Sequence, residues 1–174
     1  MLQRRRFVIA SALAAVGGSA HAAASAYALN LRFTDDHGAA RELAEWQGRA
    51  VIITMGYGAC RSVCSSTLRT LEELQADADR RGVAIDIVVA SIDPGEDTPQ
   101  AWAQYRKARK LTRANWTFLS GSAGDTRRLA RFLGLRFWRY DEHLMHDFRI
   151  VRLAADGSIA ATLDWDQRDS TRLF

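Results

Sequence analysis

Cysteine and proline are scarce in this chain, whose 174 residues include two of each. With few prolines and 48% hydrophobic residues, the composition excludes a disordered or collagen-like protein and indicates a globular one. No internal repeat and no low-complexity linker occur after the first two dozen residues. The length suffices for one domain with a hydrophobic core.

A surplus of positive charge is also missing from most of the chain. The net charge is +4, but Arg4, Arg5 and Arg6 supply three of those units, which leaves the rest of the chain near +1. No run of basic residues alternates with aromatic ones, and the RKARK segment, 106–110, indicates the solvated face of a helix. We therefore expect no nucleic-acid partner.

Residues 1–24 have the three-part layout of a secretory signal peptide. The arginines are followed by an apolar stretch, 7–18, that is short for a membrane span, and then by small residues with an A-x-A site at 20–22. The alternative is an uncleaved N-terminal anchor, and the adjacent arginines also resemble a twin-arginine signal. We expect export to the periplasm, with membrane contact only if this leader is retained.

The hydrophobic pattern predicts strands that alternate with helices. Alternation of this kind is typical of crossover connections and a central, mostly parallel sheet, to which a closing hairpin adds antiparallel strands. The sequence thus predicts an α/β fold in the thioredoxin manner: a single domain, 27–174, with a mixed sheet flanked by helices. The predicted strands are 50–55, 83–92 and 115–121. Three helices are predicted: the first is 63–81, the second starts after an N-cap at Thr98, and the third ends at Gly134. The closing hairpin has its turn at 156–157.

The two cysteines, Cys60 and Cys64, follow the first buried strand and lie four residues apart. A disulfide between them would close a very short loop and add little stability, so a purely structural crosslink is disfavoured. A helix N-terminus and the neighbouring Arg61 both favour thiolate over thiol. If the helix starts near Arg61, the spacing places both side chains on one face. The pair therefore fits a redox dithiol or two metal ligands.

A metal site needs at least one further ligand. The candidates are two histidines and two methionines that could reach the cysteines after folding, whereas His37 lies in a predicted turn. Thiolates together with an imidazole favour copper, especially Cu(I), or zinc. Spacing alone leaves the choice open between His143, His146, Met55 and Met145.

Three segments together resemble the SCO/SenC family of copper-binding, thioredoxin-fold proteins. They are GYGACRSVCSSTL, SIDPGEDTP and HDFRIVRLAADG, and the resemblance runs from about residue 29 to 163. The first matches the family's paired cysteines at Cys60 and Cys64. The second matches its acidic loop at Asp93 and Asp97. The third places His146 at the family's distance before the Asp-Gly turn, while His143 stands three residues too early.

The resemblance implies that Cys60, Cys64 and His146 bind one copper ion per monomer, as Cu(I) or Cu(II). It also implies delivery of that copper to the copper centre of cytochrome c oxidase during assembly. The expected partner is the oxidase subunit that carries this centre, or another periplasmic thiol or copper protein. Asp93 and Asp97 would either support the ligands through hydrogen bonds or simply form a turn and favour a helix dipole.

Two other functions stay open from the sequence. In the first, the chain is an enzyme, a thiol-disulfide oxidoreductase in which Cys60 attacks and Cys64 resolves the mixed disulfide. Arg61 stands where relatives often have proline, and its charge favours a thiolate for such chemistry. In the second, the chain is a binding module with a vestigial site. The retention of all three candidate ligands argues against a vestigial site, and we take a copper carrier as the leading interpretation, with the oxidoreductase as its alternative.

Overall fold

The computed structural model describes residues 24–60 and 63–174, with the side chains of residues 63 and 64 left out. Nearly all of the predicted signal peptide lies outside the described residues. Arg61, which we predicted to favour the thiolate form of the cysteines, lies outside them too. No helix in the described ranges is long and apolar enough to cross a membrane.

The described elements alternate between strands and helices much as predicted. The strands are β1 Arg32–Asp35, β2 Ala40–Glu42, β3 Val51–Gly56, β4 Asp86–Ser91, β5 Trp116–Gly121, β6 Phe137–Tyr140, β7 His143–His146, β8 Ile150–Leu153 and β9 Ile159–Leu163. The helices are α1 Val63–Arg81, α2 Pro99–Arg109 and α3 Ala123–Leu133, with short 3-10 turns at Ala26–Leu29, Leu43–Trp46 and Ser170–Leu173.

The central sheet has the order β2-β1-β5-β4-β3-β8-β9, and β6 pairs with β7 in a separate ribbon. Strands β3, β4 and β5 are parallel to one another, while β1 and β8 flank them in antiparallel orientation. The sheet is therefore mixed, as predicted, but the expectation that it is mostly parallel was wrong. The first hairpin, β1–β2, joins the sheet beside β5 and adds antiparallel pairs there.

Both faces of the sheet are covered, because every residue of β3 and β4 is buried. Alternate residues along these strands pack into two separate clusters, as the period of a strand requires. One cluster joins α1 and α2 to the sheet, and the other joins α3 to it. The helix residues involved are Leu71, Leu74, Ala78 and Trp102 in the first cluster, and Leu129, Ala130 and Leu133 in the second.

The predicted turn at Asp156-Gly157 is confirmed, and it also forms hydrogen bonds with Ser25 and Ala26. Gly157 has φ +84°, and a Cβ there would lie 2.5 Å from the Ser25 hydroxyl, so glycine is needed for both backbone and space. The Ala26 N–H donates to the Gly157 carbonyl at 2.9 Å, and Ser25 Oγ donates to the Asp156 carbonyl. Ser25 and Ala26, which precede the domain start predicted at residue 27, thus contact this hairpin turn.

Helix α2 begins as the sequence predicted, with Pro99 at its first position. The Thr98 hydroxyl accepts a hydrogen bond from the Ala101 N–H at 3.2 Å. We expect Thr98→Ala to lower the free energy of unfolding by about 1 kcal/mol, and Thr98→Ser to have less effect, because serine keeps the capping oxygen. Urea denaturation measures both. Equal losses for the two variants would show that the hydroxyl is not the stabilising group.

Candidate metal centre

Cys60 lies in the turn that follows β3. The parallel pairing of β3 with β4 places Gly56 opposite Ser91, so this turn lies beside the segment that follows β4. The Cys60 N–H donates to the Tyr57 carbonyl at 3.2 Å, which closes the turn. The Cys60 side chain is buried, with 6% of the residue exposed. The local fold therefore turns the sulfur inward and away from solvent.

Cys64 lies in the first turn of α1, which begins at Val63. The side chain of Cys64 and residues 61 and 62 are outside the described part of the chain. The prediction that both cysteines share one helical face is therefore not tested and stays a prediction. Among the described side chains, no three His, Cys, Asp or Glu form a group that could hold a metal ion.

His146 is the last residue of β7, and the pairing with β6 determines which way it faces. Phe137 is opposite His146, and Leu144 lies two residues earlier on the same face of the strand. Phe137, Leu144 and Tyr57 pack against the α3-side core cluster, which seats this face of the ribbon on the domain. The Tyr57 and His146 rings meet edge to face, with centroids 6.0 Å apart. His146 is consequently buried, with 5% exposed.

The two ring nitrogens of His146 have distinct partners. Nδ1 lies 2.8 Å from the Asp147 carbonyl oxygen. A carbonyl can only accept, so Nδ1 carries the proton and donates. In the neutral ring, Nε2 then carries the lone pair, and it lies 3.9 Å from Cys60 Sγ. Folding thus brings an imidazole lone pair, 86 residues along the chain, to face the first cysteine sulfur.

The carbonyl that orients His146 belongs to a segment that Arg136 holds in place. Both the backbone N–H and the Nε of Arg136 donate to Asp147 Oδ2 at 3.0 Å. Partial burial raises the pKa of Asp147, but the hydrogen bonds and charge of Arg136 outweigh it and hold this pKa below its ordinary value. Asp147 therefore stays charged at neutral pH and keeps its contact with Arg136.

The other candidate ligands lie elsewhere. His143 and Met145 are exposed and, by the alternation of β7, occupy the face opposite to His146. Met55 is 1% exposed and packs in the α3-side core cluster. His37 is exposed in the β1–β2 turn. Among the described candidates the structure brings only His146 to Cys60.

The two acidic candidates differ in what they contact. Asp97 is 5% exposed; its Oδ1 accepts from the Gly58 N–H at 2.9 Å, and its Oδ2 accepts from the Ser91 hydroxyl at 2.6 Å. A Cβ on Gly58 would lie 3.1 Å from Asp97 Oδ1, so a side chain there would press on this contact. Asp97 therefore anchors the cysteine turn two residues before Cys60.

Burial raises the pKa of Asp97 above its ordinary value, and the nearby Asp93 and Glu96 carboxylates raise it further. The hydrogen bonds from Ser91 and Gly58 oppose this shift. Asp93 itself forms the turn after β4: its N–H donates to Ser91 Oγ at 2.8 Å, and its carbonyl accepts from the Glu96 and Asp97 N–H groups. The structure thus gives Asp93 a role in the turn.

Sequence reasoning missed three residues of this site. Tyr57 contacts the imidazole, Ser91 fixes Asp97, and Asp147 supplies the orienting carbonyl. The only sequence signal for Tyr57 was its place in GYGAC, just before the cysteines. Ser91 and Asp147 stood in the quoted segments SIDPGEDTP and HDFRIVRLAADG, but nothing in those segments indicated that Ser91 would bind Asp97 or that the Asp147 carbonyl would orient the histidine.

The fold and the site define a thioredoxin-like α/β domain with a cysteine turn and a histidine that converge beyond the ends of the parallel strands. The family model SCO1/SenC matches residues 19–173. The chain therefore belongs to the SCO1/SenC family, and the resemblance found in the sequence is confirmed.

Individual relatives agree with this membership. The chain is 30% identical over 120 residues to a Stutzerimonas stutzeri protein named "Putative copper-binding protein"; the match covers 65% of this chain and 57% of that relative's length. The copper-bound Arabidopsis thaliana ScoI structure superposes with a TM-score of 0.71 at 19% identity, covering 82% of this chain and 90% of that one.

A third relative is BsSco, described as a member of the Sco family of cytochrome c oxidase assembly proteins and as having a disulfide switch. It superposes with a TM-score of 0.70 at 17% identity, covering 82% of this chain and 86% of its own. At such low identities, the two structural matches establish the fold alone.

Proposed function

We propose that this chain is a copper carrier in which Cys60, Cys64 and His146 bind one copper ion, as Cu(I) or Cu(II). The observation that carries the proposal is the 3.9 Å approach of His146 Nε2 to Cys60 Sγ, with Nδ1 held by the Asp147 carbonyl. Bonds of about 2.3 Å to sulfur and about 2.0 Å to nitrogen, as in zinc sites, span such a separation in a bent arrangement. A sulfur and an imidazole nitrogen also suit copper.

The charge of this ligand set suits both oxidation states. Two thiolates and a neutral imidazole give a net charge of about −1 with Cu(I) and about zero with Cu(II). Burial of Cys60 and His146 keeps water from the two ligands. Asp97 fixes the cysteine turn through the Gly58 N–H, and the Tyr57 ring packs against the His146 ring. Two described ligands on separate segments, with Cys64 as the third, leave a coordination position for an incoming ligand.

We propose that the copper passes to the copper centre of a cytochrome c oxidase subunit, or to another periplasmic thiol or copper protein. An incoming thiolate would enter the vacant position, and one of the carrier's thiolates would leave, so that copper changes ligands without a change of oxidation state. The assembly role described for the Sco family of BsSco supports this choice of target. The signal-peptide layout of residues 1–24 supports delivery in the periplasm.

Separate titrations of the reduced, purified chain with Cu(I) and with Cu(II) test copper binding. We expect one tight equivalent and, with Cu(II), an intense thiolate-to-copper absorption that a Cys60→Ser, Cys64→Ser variant lacks. The variant is the matched control, because serine preserves size but not the soft ligand. Cu(II) binding without this absorption, or equal tight binding by the variant, would refute the proposed ligand set.

The same preparation tests thiol-disulfide exchange by Cys60 and Cys64. The disulfide switch described for BsSco supports this second function. Burial of Cys60 opposes it, because a protein disulfide must reach the attacking sulfur itself, whereas in copper transfer the incoming thiolate binds the ion. Metal-free reduction of a protein disulfide by a chain that binds no copper would establish the exchange reaction as the function.

A further inference from the structure

We propose that the outward face of the β6–β7 ribbon is a second, weaker Cu(I) site, separate from the cysteine centre. This outer ribbon face consists of Trp138, Tyr140, His143 and Met145. The ligands would be the His143 imidazole and the Met145 thioether, with the Trp138 ring beside the ion. The proposal stands on the geometry and exposure of this face and is independent of the function proposed for Cys60 and His146.

The strand register places the ligand groups side by side. His143 and Met145 are two residues apart on β7, so their side chains leave the same face. Two residues of a strand span about 7 Å, a distance that an imidazole and a flexible thioether close when both lean toward one ion. Trp138 is directly opposite Met145, and Tyr140 is opposite His143. Cross-strand neighbours have Cβ atoms about 5 Å apart, so the indole lies beside the thioether.

The outer ribbon face exposes large hydrophobic side chains to solvent. Trp138, Tyr140 and Met145 have 47%, 65% and 40% of their surface exposed, and they are three of the six exposed large hydrophobic residues in the described part of the chain. The opposite face of the ribbon, with Phe137 and Leu144, already supplies the packing against the domain. In the described part of the chain, Trp138, Tyr140 and Met145 belong to neither core cluster, so packing of the core does not explain these side chains.

The chemistry of this face suits Cu(I) among the first-row metal ions. A thioether and an imidazole are ligands that soft, monovalent copper accepts, whereas Mg²⁺ and Ca²⁺ prefer oxygen. Both ligands are neutral, so the bound ion keeps a charge of +1, and a tryptophan face attracts such a cation. Neutral ligands in solvent hold Cu(I) less tightly than two thiolates do.

Methionine-methyl NMR tests the site directly. The chain has three methionines, Met1, Met55 and Met145, and each gives one signal when labelled with ¹³C at the methyl group. The Cys60→Ser, Cys64→Ser variant is titrated with Ag(I), a redox-inert stand-in for Cu(I), and Met145→Leu assigns the reporting signal. We expect the Met145 signal to shift and saturate at one equivalent. The signal of Met55, which is 1% exposed, should stay fixed and report an intact fold.

The role of His143 is tested in the same variant. His143→Gln should raise the Ag(I) concentration for half-saturation at least about tenfold, and His37→Gln, at an exposed histidine in the β1–β2 turn, should leave it unchanged. A Met145 signal that does not move would overturn the proposal, as would an equal response with and without His143. Because the thiols are absent throughout, neither outcome depends on whether the cysteine centre binds copper.

Discussion

Replacing His146 with alanine should lower the affinity of the reduced chain for copper by at least about 100-fold. Because the side chain is buried and hydrogen-bonded, the free energy of unfolding should also fall, by about 1 to 3 kcal/mol, and urea denaturation defines the conditions in which the variant stays folded. The substitution removes a ligand whose Nε2 faces Cys60 Sγ at 3.9 Å and leaves two thiolates with no nitrogen donor. A loss of about 3 kcal/mol of binding free energy corresponds to such a change. Competition with a chromophoric Cu(I) chelator measures it under anaerobic conditions.

His143→Ala is the matched control for this experiment. It removes an imidazole from the same strand, three residues earlier, but from the face that points away from Cys60. Tight copper binding should therefore keep its wild-type affinity in this variant, and only the weak site on the outer ribbon face should be lost. Equal losses of tight binding in the two variants would contradict the assignment of His146 as the ligand.

Much of the fold follows from local patterns in the sequence. The apolar runs of β3 and β4 predict buried strands, and the cap at Thr98 predicts the start of α2, because these signals depend on neighbouring residues. The predicted second strand begins too early for an equally local reason. The Val83 N–H donates to the Ala78 carbonyl, and Gly82 has φ +66°, so Val83 completes the end of α1 before the strand starts.

The β6–β7 ribbon could not be predicted in the same way. Each strand has four residues, and the sequences FWRY and HLMH mix polar and apolar side chains without a clear strand signal. Only the pairing of the two strands determines that His146 faces Cys60 while His143 faces solvent. The family's spacing to the Asp-Gly turn selected His146 at the sequence level, but no local pattern did so.

The role of Asp97 could not be predicted from the sequence either, for a different reason. Its position just before Thr98 and Pro99 is equally consistent with a helix-dipole role and with support of the cysteine turn. Both roles require the same residue type at the same place, so the sequence cannot choose between them. The structure shows the carboxylate pointing to Gly58 and Ser91, which are 39 and 6 residues away in the chain. The choice thus depends on tertiary contacts alone.

Replacing Asp97 with alanine should lower the free energy of unfolding by about 2 to 4 kcal/mol, because two donors lose their acceptor in a buried site. These donors are the Gly58 N–H and the Ser91 hydroxyl. The cysteine turn would also lose its anchor, and copper affinity should fall about 10- to 100-fold, as it does when residues that orient metal ligands are removed. Urea denaturation and chelator competition measure the two effects.

Asp97→Asn is the matched variant, since its amide oxygen can still accept from Gly58 and its size is unchanged. We expect it to stay within about 1 kcal/mol of wild type at neutral pH. If alanine and asparagine destabilise the protein equally, the hydrogen bond to Gly58 does not hold the turn. If neither changes the affinity for copper, the turn keeps its geometry without Asp97.

The same pair of proteins gives a pH dependence of definite sign. Burial raises the pKa of Asp97 in the folded chain above the ordinary 3.8, so between these two values the folded state binds more protons than the unfolded state. The stability of wild type relative to Asp97→Asn is therefore greatest below pH 3.8 and declines as the pH rises through the folded pKa. Unfolding free energies of both proteins across this window measure the difference. A difference that grows with rising pH would mean that the hydrogen bonds to the carboxylate outweigh its burial.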